Sequence, residues 1–210
     1  LPAAAAVVVA SYLTKIDGPF PTPGDWNGAE PVAFCHDWQG RNPDPQRETE
    51  VRLLWSADRL FIRFQCRFRT LDVFPDADPN GRRDLLWDRD VAEVFLQPDR
   101  FGEKYYKEFE VSPNGMWLDL EISPQGLTHI TSGMLSRVEV DEPARIWIAE
   151  LAIRMKALTN SFDPAQPWRV NFFRCEGVEP DRFYSAWQPT GTNEPNFHVP
   201  QKFGWLKFES

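Results

Sequence analysis

The chain has 210 residues, a length suited to one large domain, and 31 acidic against 23 basic residues leave a net charge of −8. That balance argues against a nucleic-acid partner, which calls for a basic face. A composition that is 42% hydrophobic, with nine Trp, sixteen Phe and four Tyr, excludes disorder for the bulk of the chain.

Nineteen prolines point to many loops and few long helices. No stretch reaches the ~20 apolar residues that a helical membrane span needs. The Ala/Val run from Leu1 to Ala10 has two readings: the tail of a secretory signal peptide, or a first strand ending in Val7-Val8-Val9. The Pro-rich stretches 19–31, 41–47 and 188–200 read as long surface loops, where binding sites concentrate. Cys35, Cys66 and Cys175 lack CxxC spacing and are too few for a disulfide framework or a zinc site.

Two-residue periodicity dominates the chain from residue 51 onward. Val51, Leu53 and Trp55 alternate with Arg52 and Leu54, residues 56–59 turn, and Leu60, Ile62, Phe64, Cys66 and Phe68 take up the alternation. This predicts a hairpin with one buried face. Strands are predicted again over 90–97, 106–111 and 117–123, the last two joined by the turn Ser112-Pro113-Asn114-Gly115. Later strands are expected over 137–140, 146–153, 168–175, 184–187 and 205–208, with one helical turn within 154–160. About ten strands separated by Pro/Gly turns predict an all-β, antiparallel sandwich with Greek-key connections and long Pro-rich loops, forming a single domain over 1–210.

The sequence has no GxSxG, P-loop, helix-opening GxGxxG or HExxH. Its carboxylates leave open a glycoside-acting enzyme with an acid pair, and a β-sandwich that mediates protein contact is a third reading. The positive signal is aromatic. Trp and Tyr rings match the flat C–H faces of sugars, while Asp, Glu, Asn and Arg match the hydroxyls. Trp55, Trp147, Trp168 and Trp205 lie in apolar patterns and are expected in the core. Trp87 and Trp187 sit in polar surroundings at strand edges, where core and ligand platform are both open readings, and Trp26 and Trp38 sit in the loops.

The run Trp87-Asp88-Arg89-Asp90-Val91-Ala92-Glu93-Val94-Phe95-Leu96 resembles the central strand motif of family 9 carbohydrate-binding modules. The segments 105–115, 168–174, 197–200 and 203–208 fit the same pattern in the same order, as does 49–55 with its hairpin. The resemblance runs from about Trp26 to the end of the sequence. It implies a β-sandwich that binds an oligosaccharide or polysaccharide without catalysis, in a secreted or periplasmic setting, alone or beside an attached catalytic domain. By position, Trp87 and Trp187 resemble the two rings that hold a terminal sugar in the family, and Glu93 the acid that bonds its hydroxyls. Asp90 and Glu93 differ by three, so a regular strand turns them to opposite faces. Asn171, Arg174 and Tyr184 have two readings, as hydroxyl partners near the second ring or as residues that fill the core or pin a loop. Related modules carry structural calcium, and Asp76, Asp78 and Asp84, in a D-x-D-x-N-G stretch whose twelfth position is Trp87 instead of Glu, are the candidates to hold it.

Overall fold

The computed structural model describes residues 6–75, 78, 81–99 and 101–209. The alternating segments form strands. In chain order these are β1 (Val7–Tyr12), β2 (Val32–Phe34), β3 (Thr49–Trp55), β4 (Arg59–Arg67), β5 (Val91–Gln97), β6 (Tyr106–Val111), β7 (Trp117–Ser123), β8 (Gly126–His129), β9 (Leu135–Asp141), β10 (Ile146–Arg154), β11 (Trp168–Glu176), β12 (Phe183–Ala186) and β13 (Gly204–Glu209). One short helical turn, α1 (Met155–Leu158), follows β10.

Hydrogen bonds connect the strands in the order β8-β7-β6-β5-β11-β13-β1-β3-β4-β10-β9, with β12 on β11 and β2 on β3. This path curls back on itself. Val94, Phe109 and Phe172 from β5, β6 and β11 share one buried cluster with Leu53, Phe64 and Trp147 from β3, β4 and β10. The rings of Phe64 and Phe172 meet edge to face with centroids 6.2 Å apart. The expected sandwich is therefore what forms, with thirteen strands among the described residues. Among the described residues, the strand pairings are antiparallel except those of β1, which runs parallel to both β13 and β3.

Strands β5 and β11 are buried on both faces. Such strands lose simple alternation, because each face meets its own apolar partner. One face of β5 and β11 looks into the inter-layer core. The other carries Val91, Phe95, Phe173 and Cys175, which form a second cluster with Leu118 and Leu120 of β7. Leu86, Phe197 and Phe203, from the flanking loops, close this second cluster. The first Pro-rich loop lies on the opposite layer, where Trp26 and Ala29 cover Leu54, Phe61 and Ala152.

Trp55, Trp147 and Trp168 are core residues as expected. Trp205 departs from that expectation. It is half-buried, with the Arg169 guanidinium 4.7 Å above its ring and Phe101 at its edge. All three cysteines are free thiols.

Candidate functional site

The outer face of β5, β6 and β11 opens into a cleft of about 430 Å³, within the size range of small-ligand pockets. Its rim begins at Trp87. Leu85 enters the left-handed region (φ 56°) and the 3-10 turn Leu86–Asp88 comes next, with Leu86 fully buried as its anchor. Arg182 ties the turn down from outside by donating to the carbonyls of Trp87, Asp88 and Arg89. The Trp87 ring is left half-buried along the cleft wall.

Tyr184 of β12 forms another wall. Its hydroxyl donates to Glu179 Oε1 at 3.2 Å, and the Arg182 guanidinium sits 5.2 Å from its ring centre. The last Pro-rich loop supplies the remaining aromatic surface. Phe197 stacks on Phe173 with centroids 4.3 Å apart, and His198 stacks on Phe95 at 5.3 Å. His198 Nδ1 shares a 2.8 Å hydrogen bond with the Tyr106 hydroxyl. Burial, aided by the positive charge of Lys104, lowers His198 to about 4, so the ring is neutral at neutral pH.

The floor is acidic. Glu93 and Glu108 line the cleft, and Glu110 lies fully buried opposite Glu93 across the β5–β6 pairing. Burial raises all three carboxyls: Glu108 to about 7, and Glu93 and Glu110 well above the usual range, with the neighbouring carboxylates adding to both. A proton on Glu108 or Glu110 lets one donate to the other. Cys175 Sγ lies 3.8 Å from Glu93 Oε1 as a weak donor. Strand parity holds as predicted: Glu93 faces the cleft, while Asp90 accepts from the Gly177 amide at 2.6 Å.

Of the six sugar-contacting residues expected from sequence, the cleft gathers Trp87, Glu93 and Tyr184. The other three lie elsewhere. Trp187 packs against the inter-layer core, its ring 5.5 Å from Phe172 and pressed on Gly204, so it does not stand across the cleft from Trp87. Asn171 is fully buried; its amide donates to the Gln188 carbonyl and accepts from the Gln188 amide, pinning the chain after β12. Arg174 is also fully buried and points into the inter-layer core. It donates to Glu176 Oε2 at 3.0 Å and to the Arg67 carbonyl at 3.1 Å, and lies 5.2 Å from the Trp147 ring centre.

Sequence reasoning missed Glu108, Phe197 and His198. The signal for Glu108 was its two-residue spacing from Tyr106 on a strand beside Glu93. The loop residues carried no periodic signal.

The calcium expectation finds no donor set among the described residues. Asp78 is exposed, Asp84 faces His129 Nε2 at 3.3 Å, and Asp76 lies outside the described residues. No group of three or more His, Cys, Asp or Glu side chains placed to hold a metal occurs among the described residues. Also among the described residues, no helix is long and apolar enough to cross a membrane.

Comparison with known proteins places this arrangement among relatives. The family model described as carbohydrate family 9 binding domain-like matches residues 16–210. An extracellular protein of Arthroderma benhamiae is 23% identical over 201 residues, spanning 87% of this chain and 86% of the relative. Two solved structures share the fold. One is a proposed carbohydrate-binding protein from Bacteroides uniformis, with a TM-score of 0.76 at 18% identity, covering 98% of this chain and 100% of that one. The other is a family 9 carbohydrate-binding module from Caldicellulosiruptor kristjanssonii in complex with cellotriose. Its TM-score is 0.69 at 14% identity, covering 98% of this chain and 94% of that one.

Proposed function

The chain belongs to the carbohydrate family 9 binding domain-like family, and we propose from that premise that the cleft beside Trp87 binds a sugar without transforming it. The observation that carries this reading is the pairing of a half-exposed indole at the cleft wall with a buried carboxyl, Glu93, on its floor. An indole face takes the C–H face of a pyranose, and the carboxyl takes its hydroxyl edge. Tyr184 and Phe197 flank the same space. The cleft therefore offers one tryptophan with a tyrosine and a phenylalanine, in place of two facing indoles.

The cellotriose bound by the structural relative makes a β-1,4-linked glucose trimer a suitable probe. The relative named as extracellular supports a secreted setting. There, a non-catalytic module raises the local concentration of an attached or associated polysaccharide-acting enzyme at its glycan.

The test is titration calorimetry with cellotriose on the wild-type chain and on Trp87→Ala. The expected loss is about tenfold or more in affinity, equivalent to about 1.4 kcal/mol, with unchanged circular dichroism. Undiminished affinity in Trp87→Ala, or turnover of a chromogenic glycoside by the wild-type chain, overturns the reading.

A further inference from the structure

The cleft floor holds more acceptors than donors. Among the described residues, Glu108 Oε2 and both carboxyl oxygens of Glu110 are buried and receive no hydrogen bond from an N–H or hydroxyl donor, so only a proton shared between the two acids serves them. Glu108 is 2% exposed and lines the cleft. Unsatisfied buried polar atoms are costly and call for a partner.

The neighbours that act on Glu110 are themselves acids, Glu93, Glu108 and Asp88. The cations at the rim are engaged elsewhere. Arg182 holds three carbonyls of the Trp87 turn and offsets Glu93 and Cys175. Arg89 faces Asp72 and lies over the Phe74 ring. Asp88 and Glu179 add two further acids to the lining, and His198 is neutral. The Trp87, Tyr184 and Phe197 rings line the same space, and aromatic walls beside acids suit a cation.

We propose that the cleft selects a sugar bearing a protonated amine, of the 2-amino-2-deoxyglucose type, over a neutral sugar of the same shape. This rests on the carbohydrate-binding reading of the cleft and adds a charge preference to it. An ammonium group brings three N–H donors and a positive charge, so the acid it meets can give up its proton without leaving an unpaired buried charge. A hydroxyl brings one donor and no charge. Burial keeps the Glu108 carboxyl largely protonated at pH 6. Binding the ammonium there ionises it: the carboxyl O–H breaks, its proton leaves to the buffer, and a carboxylate–ammonium pair remains.

The experiment is titration of the full chain at pH 6 with three β-1,4 trimers: glucosamine, N-acetylglucosamine and glucose. Two buffers of different ionisation heat report proton release. The glucosamine trimer is expected to bind about tenfold tighter than cellotriose, with protons released. The uncharged N-acetylated trimer is expected to show no such advantage. Glu108→Gln is expected to cut the glucosamine preference to about threefold or less. Should that variant fail to fold, the acetylated-against-free-amine comparison on the unaltered chain decides the matter. Equal or tighter binding of cellotriose overturns the charge preference alone. Failure of all three trimers to bind overturns the carbohydrate reading as well.

Discussion

Glu93 and Glu110 stand directly opposite one another on β5 and β6, and both side chains are buried. Like charges at paired positions destabilise a sheet if both ionise. The protein therefore gains by keeping these acids protonated, and its stability depends on pH.

The raised values set the sign. Burial lifts Glu108 from 4.5 to about 7 and Asp90 from 3.8 to about 6, and lifts Glu93 and Glu110 well above the usual range. The stabilisation is complete below the unfolded-state values and is lost as pH rises through the folded-state ones. Glu108 alone contributes roughly 3 kcal/mol across that window. His198, lowered to about 4, acts oppositely as pH falls below its unfolded value, but it is one group against four. Thermal melts are expected to show a higher midpoint at pH 5 than at pH 8. Glu110→Gln is expected to flatten the dependence. A midpoint that climbs between pH 5 and 8 contradicts the burial of protonated acids.

Trp187 is expected to matter for folding. Its ring fills the space over Gly204, where an added Cβ would lie 2.5 Å from Trp187 Cζ3 and 2.8 Å from the Ala6 carbonyl oxygen. Trp187→Ala leaves a void beside Phe172 and is expected to cost about 3 kcal/mol. Gly204→Ala forces overpacking and is expected to cost roughly 1–3 kcal/mol. Urea denaturation measures both. A Trp187→Ala chain of wild-type stability with lost sugar affinity would return Trp187 to the binding site.

Arg174 and Glu176 form an ion pair in which both side chains are wholly buried. Removing one partner strands the other's charge. Among the described residues, Glu176 would keep the Arg69 amide at 2.8 Å and Arg47 at 3.6 Å. Arg174→Met is expected to lose roughly 3–5 kcal/mol of stability. Cellotriose affinity of the chain that remains folded is expected to stay unchanged, because Arg174 faces away from the cleft. A near-wild-type denaturation midpoint argues against a structural pair.

The strands with clear patterns were legible from sequence, and those with weak ones were not. Tyr106–Val111 and Trp117–Ser123 were readable to the residue, because the turn at 112–115 fixes both ends. Val32–Phe34 is too short to show a period, and Gly126–His129 is exposed throughout, so neither gave an apolar signal. The cleft lining was legible where a residue sits on a regular strand or beside its start, as Glu93 and Trp87 do. Trp187 misled because it comes just after β12, and nothing in its immediate sequence tells which face of the sheet it meets. The burial of Glu108 and Glu110 was not legible, since the loop carrying Phe197 and Phe203 over that side of the strand comes from far along the chain.

The parallel insertion of β1 between β13 and β3 governs how the molecule assembles. Along the hydrogen-bonded path this strand sits between β13 and β3, and its residue Val7 pairs with Trp205, near the other end of the given sequence. Contacts of such high order form slowly, because a long loop must close before they repay its lost entropy. Hairpins such as β3–β4 and β6–β7 can appear early, whereas the seam that makes one body of them waits for the last strand to arrive.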